Sequence, residues 1–316
     1  MTLGLIFAFL SAASFGFNSV GVRRGVAAAA ASQGLYITIF TGTILFLLLA
    51  AGTGQLFQAG IVTGNEYILM IAGGVVHILI GRYCNYRAIG AMGANRAGPV
   101  AGLSTLMSVL IAVVFLSEVI TPLMGVGILL VILGPALVAK RSRRPSVTPA
   151  ATGMPVPSGA SPVVDNTRTA FQPRLAEGYF FGAMTALLWG AGPVLMRAGV
   201  DENGLGVLGG LVAYATASVV LAATLLLPGQ ISGALSMNRG TRLWFLFGGG
   251  SSFLANAFRF SALSLAPVTL VIPLMRLSVV FALAFNFLIN RHLETFEPRV
   301  LLGILVSLAG AVLLLV

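Results

Sequence analysis

Apolar residues in this chain do not alternate with polar ones at the spacing of a surface helix or a half-buried strand. They run on for about twenty positions at a time and break at short polar, glycine- or proline-bearing stretches. Ten such runs stand out: 3–22, 33–52, 67–86, 97–117, 121–139, 178–196, 205–227, 243–264, 267–289 and 298–316. At a helical rise of about 1.5 Å per residue, twenty residues cross the ~30 Å hydrocarbon core of a bilayer. Strands of a membrane barrel would show alternating segments of about ten residues instead, so the pattern predicts α-helices.

The pattern stops between the fifth and sixth runs. Lys140, Arg141, Arg143 and Arg144 lead into a Pro/Ser/Thr/Ala-rich stretch with too little apolar surface to offset the entropy of ordering it, so residues 140–176 read as a disordered linker. It separates residues 1–139 from 177–316, with five runs in each. The two parts are alike. Laying Gly4–Val26 over Gly178–Val200 matches Gly4, Ala12, Gly16, Val20, Arg23, Gly25 and Val26 with their counterparts, and the same offset puts Ala88 on Ala262, Pro99 on Pro273, Leu103 on Leu277 and Ser104 on Ser278. After a two-residue adjustment, Glu118 falls on Glu294, Pro122 on Pro298, Gly127 on Gly303 and Gly134 on Gly310. An odd number of spans per copy brings the second copy into the membrane from the opposite side. The expected fold is an all-α integral membrane protein of ten transmembrane helices, built as two inverted five-helix repeats, a recurrent plan of secondary transporters with the substrate site near the midplane.

Composition agrees: 58% of the 316 residues are hydrophobic and 8% charged, where a globular chain carries about 25% charged residues. The first run has no basic segment before it and Arg23 and Arg24 directly after it, so it reads as a retained span and not a cleaved signal peptide. The single Cys84 excludes an internal disulfide and a cysteine-cluster metal site. A net charge of +10 raises the question of nucleic acid, but the basic residues sit at span ends and in the linker, where they meet headgroups. No basic face with interleaved aromatics is present, so no nucleic-acid partner is expected. Of the 18 basic residues all but Arg197, Arg259 and Arg276 fall in the odd-numbered connections or the linker. The positive-inside rule then places those connections and the linker in the cytoplasm of a cell-membrane protein, with both termini outside.

Against this apolar ground a few polar residues stand near the middle of spans: His77 in the third, Asn256 in the eighth and Arg276 in the ninth, with Asn18 and Trp189 in the first span of each copy. An Arg at the centre of a span costs about 2.5–3.5 kcal/mol on insertion scales and so marks a candidate site. Its planar fork suits a carboxylate or phosphate. His77 is read as a helix-packing residue or a proton-coupling one. Asn18 and Asn256 are interhelical hydrogen bonders or substrate contacts, and Trp189 stacks on an aromatic substrate or packs. Arg82 and Arg259 lie close enough to span ends to snorkel to the interface, and Glu118 and Glu294 read as helix-end caps or interfacial charges. All eight acids lie in loops or at span ends, which disfavours a cationic substrate and favours an anionic or zwitterionic one. The only lysine, Lys140, is in no phosphate-binding loop. The spans offer no paired catalytic groups, so no enzyme, cofactor or metal site is expected, and an intramembrane enzyme is the more distant rival. A translocase of lipids or lipid-linked metabolites is the nearer one.

These features resemble the EamA-type ten-helix transporters of the drug/metabolite transporter superfamily. The first-helix pattern of that family is similar to Phe15-Gly16-Phe17-Asn18 with Arg23 and to Trp189-Gly190 with Arg197; its later pattern is similar to Pro99, Leu116-Ser117-Glu118 and Gly127 to Gly134, repeated as Pro273, Glu294 and Gly303 to Gly310. The resemblance implies a central cavity lined by the first, third and fourth helices of each repeat, and an exporter or facilitator of small polar metabolites such as amino acids or organic anions, working by alternating access. Two positions depart from the family pattern: Asn290-Arg291-His292-Leu293 precedes the second Glu, and Arg276 stands where the first copy has Gly102.

Overall fold

The computed structural model describes residues 1–26, 31–92, 97, 100–139, 174–200, 204–225, 239–289 and 298–314. Among these there is no strand. The helices are α1 (Thr2–Val26), α2 (Ala31–Gly52), a 3₁₀ turn (Gln55–Ile61), α3 (Gly64–Gly73), a π-helical segment (Gly74–Gly81) leading directly into α4 (Arg82–Met92), α5 (Ser104–Phe115), α6 (Pro122–Ala139), α7 (Leu175–Val200), α8 (Gly206–Leu225), α9 (Arg239–Leu263), α10 (Val268–Leu274), a 3₁₀ turn (Met275–Leu277), α11 (Ser278–Ile289) and α12 (Pro298–Leu313).

Helices and apolar runs do not map one to one. Run 67–86 passes through the π segment and run 267–289 through a 3₁₀ turn. Among the described residues four helices are long and apolar enough to cross a bilayer, over Leu35–Gly52, Gly64–Met92, Leu175–Val200 and Gly206–Thr224; shorter apolar helices cover Thr2–Asn18, Val100–Phe115, Pro122–Leu133 and Val268–Ala282. Of the expected linker, residues 140–173 lie outside the described residues, as do Pro99 and Glu294. At its far end α7 begins at Leu175, because the Arg174 N–H bonds Ala91 O at 2.8 Å and Glu177 pairs with Arg87 at 2.5 Å and Arg174 at 2.9 Å, tying the helix start to the end of α4.

Polarity is distributed inside out relative to a water-soluble bundle. Large aliphatic and aromatic side chains face outward, Val114 72%, Phe115 76% and Leu305 63% exposed, while Ser11, Thr105, Ser108, Thr185, Asn256 and Arg259 are buried. A lipid-facing surface has this character, because the outer solvent is itself hydrocarbon and polar groups must find partners within the bundle.

The packing is reciprocal. The first helix of each half lies against the third and fourth helical runs of the other: α1 packs on α9 and on α10 and α11, and α7 packs on α3, the π segment, α4 and α5. Then α2 meets α8, and α6 meets α12. Glycines fix the closest approaches in matched pairs. A Cβ on Gly16 would lie 2.5 Å from the Phe281 Cβ, and one on Gly190 would lie 2.5 Å from the Met107 Cβ. A Cβ on Gly4 would lie 2.8 Å from the Ala266 Cβ, and one on Gly178 would lie 2.7 Å from the Met92 Cβ. Both contacts of each pair are related by the offset that carries Gly4 to Gly178.

Candidate functional site

A cavity of about 430 Å³ opens where α1, the π segment with α4, α5, α7, α9 and the α10–α11 break converge. Asn18, His77, Trp189, Asn256 and Arg276 all line it. A second cavity of about 480 Å³, on the flank beside Phe7, Leu49, Phe253 and Phe258, has no charged residue in its wall and holds none of these five.

Arg276 owes its position to Pro273. Proline removes the N–H that would bond the Thr269 carbonyl, the chain tightens into the 3₁₀ turn Met275–Leu277, and Arg276 projects from that break. Its Nη2 donates to Gly102 O at 2.8 Å and to Ser104 Oγ at 2.9 Å, and its Nε to Thr105 Oγ1. All three acceptors are neutral oxygens at or just before the start of α5, so the charge is solvated by dipoles and not cancelled. Gly102 is also the counterpart of Arg276 in the first half. A position touching its own counterpart sits where the relation between the halves maps the structure onto itself.

On α9, Gly248, Ser252, Asn256 and Arg259 recur at intervals of four, four and three residues and share one helix face on the cavity. Asn256 is 2% exposed; its Nδ2 donates to Tyr214 Oη at 2.9 Å and to Ser252 O at 2.7 Å. Arg259, expected at the membrane interface, is instead 6% exposed and lies on the cavity wall. Its Nη1 is 2.7 Å from His77 Nε2, and its guanidinium carbon sits 4.8 Å from the Phe260 ring centroid and 5.9 Å from that of Phe15. The surface reading failed because distance from a span end measures depth and not direction, and this helix face turns inward.

Arg82, also expected at the interface, is half-buried and lines the same cavity. In an uninterrupted α-helix residues five apart point about 140° apart, but a π turn stacks i on i+5, so His77, Arg82 and Asn85 all reach the cavity. Arg82 Nη1 approaches Thr38 Oγ1 at 3.5 Å. Close packing accompanies the π segment: a Cβ on Gly74 would sit 2.5 Å from Ala213 O, and one on Gly81 would sit 2.6 Å from Trp189 Cδ1. Trp189 therefore lies over the segment, with Nε1 donating to His77 O at 3.1 Å and its ring 5.9 Å from the imidazole at 32°. Pro193, inside α7, also lines the cavity. Asn18 Oδ1 accepts from Ser251 Oγ at 2.9 Å, linking α1 to α9.

Three guanidiniums, Arg82, Arg259 and Arg276, thus line the cavity, with no Asp or Glu among the described lining residues. The described acids work elsewhere. Glu66 completes a capping box with Thr63 at the start of α3, and Glu177 holds the ion pairs at the start of α7. Glu118 caps as expected, but the helix it caps belongs to the other half: Oε1 and Oε2 accept from Val268 N and Thr269 N, each at 2.8 Å. Ser117, at φ 53°, turns the chain just before it.

The EamA-like transporter family model matches this chain twice, over residues 2–140 and 176–316. No curated protein matches it in sequence. A protein of known crystal structure shares its fold with a TM-score of 0.72 over 99% of this chain and 96% of its own, at 15% identity.

Proposed function

Because the chain belongs to the EamA-like transporter family, and is a membrane transporter of the drug/metabolite type, we propose that it moves small anionic or zwitterionic metabolites, amino acids or organic acids, as a secondary exporter or facilitator. The observation that carries this reading is the cavity of about 430 Å³ with three arginines and no carboxylate among its described lining residues. Arginine forks bind carboxylate and phosphate through parallel N–H bonds. The hydroxyls and carbonyl on Arg276 are neutral acceptors, which an anionic group replaces with gain of charge.

In this reading the helical runs form ten spans in two inverted repeats, residues 1–139 and 177–316 joined by the cytoplasmic linker 140–176, with both termini outside. Alternating access follows from rocking one repeat against the other about the cavity. The broken runs, with Pro273 before Arg276 and the π turn around His77, supply the backbone adjustability at the substrate's depth.

The test is ligand-induced thermal stabilisation of the purified protein against amino acids, organic acids, nucleobases and cationic dyes. Anions or zwitterions raise Tm and are transported by proteoliposomes, and Arg276→Gln removes both effects while the unliganded protein still melts cooperatively. Stabilisation by cationic dyes, or transport unaffected by Arg276→Gln, overturns the reading. A cytoplasm-dependent reporter fused after Val316 stays inactive on the orientation given, and full activity reverses it.

A further inference from the structure

We infer that His77 holds Arg259 in place of the substrate anion, and that an anion arriving at Arg259 frees the imidazole to carry the proton that crosses with it. The inference rests on the anion-binding reading above and adds the coupled ion to it.

The contact itself sets the protonation state. A guanidinium has five N–H donors and no lone pair, so at 2.7 Å from Arg259 Nη1 the acceptor is His77 Nε2. The ring is therefore neutral, with its proton on Nδ1. That Nδ1 is buried with no partner, as is the Nε of Arg259. The main chain of Gly192 closes off the ring on that side, since a Cβ there would lie 2.6 Å from Nδ1. Gly192 leaves no room for a ligand at Nδ1, so the donor open to one is the buried Nε–H of Arg259, a group that native interiors rarely leave without a ligand, ion or water.

The surroundings decide what completes it. The charged groups that share the cavity with the imidazole are Arg259 on α9, Arg82 on its own run and Arg276 across the cavity, and the Tyr214 phenol on α8 accepts from Asn256, one turn of α9 before Arg259. The helix α7 presents Trp189 and no charge. Protonating His77 in place would set two donors, both cations, against each other across the same short contact. An oxyanion on Arg259 satisfies the unpartnered Nε, replaces His77 as acceptor and supplies the negative charge that an imidazolium needs. Anion and proton therefore each favour binding of the other, and the pair crosses as a unit whose charge the cavity has already matched.

The chain has two histidines, so His292→Gln leaves His77 alone for ring nitrogen-15 NMR of the protein in nanodiscs. Sulfate, succinate and L-glutamate serve as probes, with binding followed by thermal shift. The expected result without anion is a single tautomer, Nδ1 protonated and Nε2 bare, unchanged from pH 8 to pH 5. With a bound anion the ring converts to imidazolium, and anion affinity rises by up to about tenfold per pH unit as pH falls through that transition. His77→Gln, which keeps an acceptor for Arg259, flattens the pH profile. A protonated Nε2 in the empty protein, an identical titration with and without bound anion, or an unchanged pH profile in His77→Gln overturns the inference and leaves the anion site standing. If none of the three probes binds, the anion-binding reading itself fails and takes this one with it.

Discussion

At the start of α5 in the first half, a side-chain carbon on Gly102 would meet nothing within 4 Å; in the second half the counterpart position carries Arg276, which reaches back to bond the Gly102 carbonyl. The same contrast recurs around the cavity. Arg82 has Asn256 as its counterpart, Arg259 has Asn85, and Trp189 has Phe15, and all six side chains line the same space. The packing positions behave differently. Gly4 and Gly178 meet Ala266 and Met92, Gly16 and Gly190 meet Phe281 and Met107, and in each case a small residue allows backbones to approach to the same closeness in both halves. Helix separation is a shared constraint, because one pair of helices cannot move apart without opening the other. The cavity wall has no such constraint, so each charged position needs filling once, and no arginine is doubled at a position its own counterpart shares.

The largest expected effect tests that complementarity directly. Arg276→Gly copies the first half and removes a charged fork worth about 1.5–3 kcal/mol, so anion affinity falls by about ten- to hundredfold in equilibrium binding. Adding Gly102→Arg, where a Cβ meets nothing within 4 Å, restores most of the loss from the opposite flank; a double variant as weak as the single one means that the two positions are not interchangeable.

Next come the shared contacts. Gly16→Ala and Gly190→Ala force a carbon to within 2.5 Å of a neighbour's Cβ and lower stability by about 1–3 kcal/mol each, whereas Gly90→Ala, with nothing within 4 Å, leaves Tm unchanged or raises it slightly. Equal Tm values for all three would remove the steric account. Glu118→Gln keeps one acceptor but withdraws the negative charge from the first turn of α10; the expected loss is about 1 kcal/mol, measured as a lowered unfolding midpoint. The smallest change is Ser108→Ala, which copies Ala282 in the other half and deletes the 2.9 Å bond to Gly190 O, for about 0.5–1.5 kcal/mol; a loss above that range shows the bond to be one link of a larger network.

Much of the site was readable along the chain. Asn18, His77, Trp189, Asn256 and Arg276 stand out because a polar group in a run of apolar ones is costly wherever it is placed, and all five meet at one cavity. Arg259 escaped, although its spacing from Ser252 and Asn256 marks a common face, because that spacing does not say whether the face meets lipid or protein. Arg82 escaped for another reason: counting on an α-helical period turns it away from His77, and only the π turn brings it back. Ser104 and Thr105 carry no signal in sequence at all, since hydroxyls in spans usually bond their own helix; here they are acceptors for Arg276 from another helix.

Helix formation in this chain is a local matter, since apolar stretches in hydrocarbon satisfy their backbone hydrogen bonds within the segment, and the duplication is written in the order of Gly, Pro, Arg and Glu. Which neutral oxygens solvate Arg276, which histidine nitrogen meets Arg259, and where Glu118 finds a helix end to cap depend on contacts between residues 150 to 182 positions apart. Those contacts come from the docking of one half on the other. Periodicity records which side chains share a helix face, and only the packed bundle says what that face looks at.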